Sequence, residues 1–427
     1  MGLDIKSVAV IGAGGKIGSL TGGICAQEGL RVYYLSRSLE HAKKGLNRAI
    51  EQARSEVIAD NIICGDYDSM LAKTIPYADW VIEAVAEDGN IKRQMYAKIE
   101  PYLQPNVIIS TTTSSLPLDS LTEGRSKIFR KNFLSTHFYN PPGKMFACEI
   151  AATDSTDKGI YNFMKDFLHQ RLGRVVVPTK NLEGFAGNRI AFLLFNKITQ
   201  LALEYGTEMM DYLIGPYTGR LMPPLATIDL VGLDIHKAIV NSLHINTNDE
   251  MHDFFVLPAF IDMMIKNGLL GNKAGSGFYK KLEGGRILYY DPASGDYIPA
   301  VQPHLVFVEQ AKHLIRLGMY REAFEIVKNA HEKEADIVRD ILYTYVAYSY
   351  NRIGEVTDEQ FGIDGIDSVM SSGFHWACPS LMLNLLGGAE ETAEKMLELG
   401  LKVPDRLYNK TDTMLQILDS GKYFVAL

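Results

Sequence analysis

The 427-residue sequence predicts an α/β fold, a doubly wound and mostly parallel sheet, followed by two all-α domains. Three observations predict it. Short runs rich in Val, Ile and aromatic residues alternate with helix-period stretches up to about residue 182, the pattern of strands joined by crossover helices. The first run, SVAVIGAG, opens into a glycine-rich turn and then a helical pattern, as at the first strand-to-helix junction of an open α/β sheet. From Asn188 the grain changes, and GNRIAFLLFNKITQLALEYG spaces its apolar residues as a helix does, with no strand-like interval.

The expected strands are SVAVIGAG, RVYYLSR, WVIEAVAE, NVIISTTT, FLSTHF and VVVP, all within a sheet domain over 1–182. A helical domain over 183–284 closes at GNKAGSGFYKK, where Gly271, Gly275 and Gly277 force turns. The polar stretch around LEGGRILYYDPASGDYIPAVQP makes 285–302 a linker with room for a hairpin, and a second helical block runs over 303–427. That block reads as a degenerate repeat. EMMDYLIGPYTGRLMPPLATIDLVGLD, from 208, lies on IDSVMSSGFHWACPSLMLNLLGGAE, from 366: each has an acidic residue, a Gly-aromatic turn, a Pro and an L-x-x-G ending. Each also follows a long helix, the second being VRDILYTYVAYSYNRIG.

Composition narrows the partners. The net charge is −8 with Lys and Arg scattered, which argues against a nucleic-acid or anionic-membrane partner. No run approaches the roughly 18 apolar residues of a membrane span. MGLDIKS lacks a signal peptide's apolar core, and Gly2 is followed by Lys6 where a myristoylation motif wants Ser or Thr. The expected location is the cytoplasm. Cys25, Cys64, Cys148 and Cys378 form no C-x-x-C pair, so they are expected to be small buried apolar residues rather than disulfide or zinc partners. HEKEAD near 331 reads as a solvated helix face, and with no H-E-x-x-H pattern no metal site is expected.

The stretch VAVIGAGGKIGS holds two overlapping fingerprints. Gly12, Gly14 and Gly18 give G-x-G-x-x-x-G, while Ala13, Gly15 and Gly18 give A-x-G-x-x-G; neither is the plain G-x-G-x-x-G. Amides at a tight turn and helix N-terminus hold a pyrophosphate, and glycines let it approach. Gly12, Gly14, Gly15, Lys16, Ile17 and Gly18 are therefore candidate nucleotide-binding residues, Lys16 adding positive charge; the alternative is a turn that only packs the helix on the sheet. A site for NAD carries an Asp or Glu at the end of the second strand, on the ribose hydroxyls. Here Ser36 and Arg37 stand there. A hydroxyl and a guanidinium suit a 2′-phosphate, which a carboxylate would repel, so NADP is favoured; the alternative leaves Arg37 solvated and the site taking NAD.

His137 sits at an expected strand end on the ligand-binding edge, and Glu149, twelve residues on, follows a Pro-Pro turn that can fold it back beside the imidazole. A carboxylate there fixes the tautomer, which suits a base that accepts a proton from an alcohol. HFYNPP with Glu149, TSSLP before it, GFAGNR after it and LGNKAGSGFYKK further on resemble the L-3-hydroxyacyl-CoA dehydrogenase family, over the whole chain. The resemblance implies His137 as catalytic base, Glu149 as its partner, and Ser114 and Asn188 on the substrate oxygen. It implies nicotinamide-side contacts from Glu83, Ala84, Glu87 and Lys92 in VIEAVAEDGNIK.

It also implies a Rossmann-type NAD(P)-binding domain, tandem 6-phosphogluconate-dehydrogenase-like helical domains and, by itself, NAD. The linker and second helical block are similar to fused members in which an enoyl-CoA hydratase domain follows; none is expected to be attached here. The departures are Ser36-Arg37 and a glycine loop one residue longer than usual, the extra residue lying inside the loop when counted from Gly18. The expected reaction is reversible hydride transfer between a (S)-3-hydroxyacyl-CoA and a 3-oxoacyl-CoA, as in β-oxidation. The alternatives are a dehydrogenase of a free hydroxy acid such as a sugar acid, or a non-catalytic nucleotide-binding protein. The acyl-CoA is expected in the cleft between the sheet domain and the first helical domain, with Lys43 and Lys44 as candidates for its phosphates. A second helical copy would supply an internal pseudo-dimer, giving a monomer or a homodimer. His236, His244 and His375 have no partners at telling spacing and read as structural.

Overall fold

β1 (Ser7–Ile11) is apolar from its second residue onward and buried on both faces. Val8 and Val10 belong to one core, while Ala9 and Ile11 belong to another, as the two-residue period of a strand requires when both faces are covered. β2 (Arg31–Ser36), β3 (Ile62–Asp66), β4 (Trp80–Glu83), β5 (Ile108–Thr111), β6 (Phe133–Phe138), β7 (Ala147–Ala152) and β8 (Val175–Pro178) complete a sheet of order β3-β2-β1-β4-β5-β6-β7-β8. The first six strands run parallel; β7 is antiparallel to β6, and β8 is parallel to β7. This is the doubly wound sheet that the alternation predicts. The strand order reverses between β1 and β4, and ligands bind in the crevice beyond the strand ends at such a point. α1 (Lys16–Gln27) and α2 (Leu39–Ala53) lead away from that edge after β1 and β2.

Two strands escape the sequence reading. β3, IICGD, is an edge strand with only two bulky apolar residues, held by pairing from Val32↔Ile62 to Ser36↔Asp66. β7, ACEIAA, has three alanines and a glutamate, poor strand formers; burial between β6 and β8 overrides their preference.

The chain is described here by a computed structural model over residues 3–408 and 420–424. Gly2 of the N-terminal reading, and 409–419 and 425–427 of the second helical block, lie outside the described residues. The residues up to Phe185, with Glu355–Asp358, form one compact unit; Ala186–Gly354 and the described residues from Glu359 onward form a second.

In the second unit, two largely buried 19-residue helices, Gly187–Tyr205 and Lys333–Asn351, carry the core. The 285–302 stretch is a hairpin, β10 (Ile287–Asp291) and β11 (Asp296–Pro299), which joins β9 (Tyr279–Lys281) in a three-stranded antiparallel sheet. Tyr290 of β10 is buried and stacks on Phe260, so this segment belongs to the unit's core and is not a free tether.

Two aspartates there have matching surroundings. Asp211 accepts from the amides of Leu225 (2.7 Å) and Ala226 (2.9 Å), and Asp367 from the amide (3.1 Å) and hydroxyl of Ser380. Nine residues beyond each, Arg220 and Trp376 form an antiparallel bridge, with the guanidinium 4.6 Å from the ring centroid. Asp249 gathers Arg189 (2.7 Å), Arg352 (2.7 Å) and Tyr348 (2.8 Å) into a buried network.

His236 is fully buried against Phe192, and burial pushes its pKa down to about 3. Cys25, Cys148 and Cys378 are buried and Cys64 half-buried, all as free thiols; burial pushes Cys25 and Cys378 up to about 12. Among the described residues, no helix is long and apolar enough to cross a membrane, and no His, Cys, Asp and Glu group of three could hold a metal ion.

Candidate active site

The turn after β1 can be made only by glycine. Gly12 has φ +87°, and a Cβ on it would lie 2.3 Å from the Ala84 carbonyl oxygen at the end of β4. A Cβ on Gly18 would lie 2.9 Å from the Gly12 oxygen, so α1 reaches the strand this closely only because Gly18 has no side chain. Gly15 caps α1 without a side-chain acceptor, and no acidic residue stands in the first turn. The amides of Lys16, Ile17 and Gly18 therefore lack intrahelical partners at the positive end of the helix dipole, a cradle for a pyrophosphate. With Gly15 at the cap and Gly18 at the packing position, the extra loop residue falls between Gly12 and Gly15. Gly15 N–H closes that turn on the Gly12 oxygen (2.9 Å), and Arg48 donates to the Gly14 carbonyl (2.5 Å).

Ser36, at the end of β2, is 2% exposed, and its Oγ lies 2.9 Å from Nδ1 of His41 in the first turn of α2. Arg37 is exposed beside it. A cavity of about 420 Å³ is lined by Gly12, Gly15, Ser36, Arg37, His41, Tyr67 and the Ala84–Ala86 segment among others. A second cavity of about 390 Å³ shares Arg37 and His41 and adds Ser38, Glu40 and Lys44. Lys44 pairs with Glu40 (2.9 Å), and its hydrogen bond holds that carboxyl below the usual range. Asp66, level with Ser36 on β3, is committed to the amide and hydroxyl of Ser69.

Glu83, at the end of β4, is fully buried and accepts from Lys92 (3.0 Å), Tyr96 (2.6 Å), Thr111 (2.8 Å) and the Val85 amide (2.8 Å). Lys92 also pairs with Glu87 (3.3 Å) and is out of solvent. Burial disfavours its charge, but the two carboxylates outweigh this and raise its pKa. Glu87 in turn accepts from the Thr113 hydroxyl (2.6 Å) and the amides of Ser114 (2.7 Å) and Ser115 (3.1 Å). Burial pushes Glu87 up, while Lys92 and these bonds bring it below its ordinary value. In the structure, then, Lys92 holds the two carboxylates, and Glu87 pins the turn that carries Ser114.

The β6–β7 pair brings His137 opposite Glu149, with Nδ1 2.8 Å from Oε2. Glu149 is fully buried and His137 is 6% exposed. The same oxygen accepts from the Tyr139 hydroxyl (2.6 Å), and the His137 ring lies among Tyr139 and Phe185, with centroids 4.8 and 5.8 Å away. Burial and then the Glu149 charge raise the Tyr139 pKa well above normal, so the phenol stays a donor. With Nδ1–H directed at the carboxylate, Nε2 is left as the basic nitrogen. Ile11, Glu83, Thr111 and Ser135 are level across β1, β4, β5 and β6, and His137 lies two residues further along. The imidazole thus shares the glycine cradle's edge, three strand spacings or about 14 Å away.

Asn188 stands in the first turn of Gly187–Tyr205, in the second unit. Sequence reasoning overlooks Tyr139, although it lies within HFYNPP, and His41, whose only signal is a histidine five residues after Ser36.

Models of the 3-hydroxyacyl-CoA dehydrogenase NAD binding domain and C-terminal domain match residues 7–182 and 184–281. A probable 3-hydroxyacyl-CoA dehydrogenase of Bacillus subtilis is 29% identical over 83% of this chain, which spans 45% of that protein's length. A probable 3-hydroxyacyl-CoA dehydrogenase of Deinococcus radiodurans is 34% identical over 65% of this chain and 84% of its own length. The crystal structure of a 3-hydroxybutyryl-CoA dehydrogenase from Escherichia coli shares the fold, with a TM-score of 0.64 at 17% identity over 99% of this chain and 100% of that one. The chain belongs to the 3-hydroxyacyl-CoA dehydrogenase family.

Proposed function

We propose that this protein is a nicotinamide-dependent 3-hydroxyacyl-CoA dehydrogenase that uses NADP in preference to NAD. The observation that carries the reaction is the buried His137–Glu149–Tyr139 cluster on the same sheet edge as the glycine cradle. The cradle fits a dinucleotide, because Gly12 and Gly18 let α1 close on the strand ends and its first amides lack intrahelical partners. When bound, the nicotinamide exchanges a hydride with C3 of the acyl-CoA. The chain's residues do the rest. In oxidation Nε2 of His137 takes the hydroxyl proton, and in reduction it returns it. Glu149 stabilises the imidazolium so formed, and Ser114 and Asn188 hold the reacting oxygen. Gly12, Gly14, Gly15, Lys16, Ile17 and Gly18 hold the pyrophosphate, with Ser36 and Arg37 at the ribose. Ala84 and Glu87 lie toward the nicotinamide, and Lys92 acts there through Glu87.

The test is acetoacetyl-CoA reduction with NADH and with NADPH, beside free hydroxy and oxo acids. His137→Gln is expected to lose turnover while still binding nucleotide; retained turnover overturns the assignment. Arg37→Ala is expected to shift the NADPH/NADH ratio toward NADH, and an unchanged ratio overturns the NADP reading.

The second helical block is proposed to repeat the first, supported by the Asp211 and Asp367 caps and by the Arg220–Trp376 bridge between corresponding positions. Such an internal pair would let the protein work as a monomer in the cytoplasm. Sedimentation at micromolar concentration tests this, and an obligate dimer contradicts it.

A further inference from the structure

The loop's extra residue and the ribose end of the site meet at one side chain. A Cβ on Gly14 would lie 2.4 Å from Nδ1 of His41 and 2.7 Å from its Cε1, so the imidazole rests on the backbone of the inserted turn. That nitrogen is also 2.9 Å from the Ser36 hydroxyl, and the ring lines both cavities that Arg37 lines. A loop with a side chain at position 14 would push the ring off this seat. From this we infer that His41 is a specificity-determining ligand of the nucleotide's 2′-phosphate, and that the extra glycine is there to seat it.

The inference rests on the NADP reading and adds to it the residue that completes the phosphate site. Nδ1 is engaged by Ser36, which fixes the ring and leaves Nε2 for the ligand. The other charged groups lining the two cavities are Arg37, Lys44 and Lys98, whose cations suit a phosphate, and Glu40, which Lys44 neutralises. Asp66 is bound to Ser69, and Arg48 to the Gly14 carbonyl. Asp66 keeps its negative charge in its bond to Ser69, so it is the cations lining the two cavities that make this end suit a phosphate. The adenosine ribose of an unphosphorylated nucleotide has nothing to offer the ring but a hydroxyl, so His41 discriminates between the two.

The experiment is calorimetric binding of adenosine 2′,5′-bisphosphate and of ADP to the full chain, with wild type, His41→Ala, Gly14→Ala, the double variant and Arg37→Ala. Wild type is expected to prefer the 2′-phosphate probe. His41→Ala is expected to lower that preference about tenfold, the scale of one hydrogen bond to a charged group, with ADP affinity held within about twofold. Gly14→Ala is expected to lower it in the same direction, and to add nothing once His41 is gone, since the clash has no partner. If His41→Ala leaves the preference unchanged, or weakens both probes equally, the inference is overturned while the Arg37 reading stands. If wild type shows no preference at all, the NADP reading fails and takes the inference with it.

Discussion

Replacing Glu149 by Gln keeps the side chain's size and removes its charge at the proposed base. The carboxylate is fully buried, 2.8 Å from Nδ1 of His137, and the Tyr139 hydroxyl donates to the same oxygen. When the imidazole takes the substrate's proton, the ion pair at a centre separation of about 4 Å and an effective dielectric of about 20 is worth about 4 kcal/mol. A neutral amide retains a hydrogen bond to the ring, which offsets part of this. At about 1.4 kcal/mol per tenfold in rate, kcat for 3-hydroxybutyryl-CoA oxidation should fall roughly a hundred- to a thousandfold. Steady-state turnover followed by nucleotide absorbance measures it, and calorimetric nucleotide binding, expected to be unchanged, controls for misfolding. A kcat within about threefold of wild type, less than 1 kcal/mol of barrier, refutes the reasoning.

Tyr139→Phe removes one donor from the same oxygen and should cost about tenfold in kcat, the scale of one hydrogen bond to a charged group; an unchanged kcat makes the phenol mere packing. Lys92→Met leaves the fully buried Glu83 without its cation and Glu87 unpaired from it, and should destabilise the sheet unit by about 3–5 kcal/mol in urea unfolding, with a fall in activity as the Ser114 turn loosens. At Asp249, burial raises the carboxyl pKa, but Arg189, the Met251 amide, Tyr348 and Arg352 outweigh it and hold it below 3.8. Its stabilisation is therefore present at neutral pH and lost as pH falls below about 4, and Asp249→Asn should flatten this acid limb of the urea midpoint. Burial pushes Asp211 and Asp367 up to about 7. Their contribution has the opposite sign, largest below pH 4 and lost as pH rises toward 7, so Asp211→Asn should remove part of the fall in midpoint between pH 5 and 8.

The sheet was legible because parallel strands buried on both faces leave continuous apolar runs, as in SVAVI and WVIE. β7 was not, because ACEIAA becomes a strand only through its neighbours. The site divides in the same way. The glycine loop announces itself by residue type and spacing, and His137 and Glu149 through the resemblance that HFYNPP and its neighbouring motifs carry. The Glu83–Lys92–Glu87–Ser114 chain does not: a lysine in VIEAVAEDGNIK gives no sign that it will be withdrawn from water to set a turn 22 residues on. His41 was hidden for a simpler reason, since its meaning depends on a loop insertion 27 residues earlier.

Because His137 and Glu149 face each other across hydrogen-bonded strands, their separation is set by backbone pairing and not by the turn that joins them. The segment from 140 to 146, beyond Tyr139, can therefore be lengthened, shortened or changed in side chain with little effect on the pair, whereas one residue added inside either strand would turn the imidazole and the carboxylate to opposite faces. The His137–Glu149 pair is thereby insulated from the loop, whose length and side chains can change while the two residues stay opposite each other.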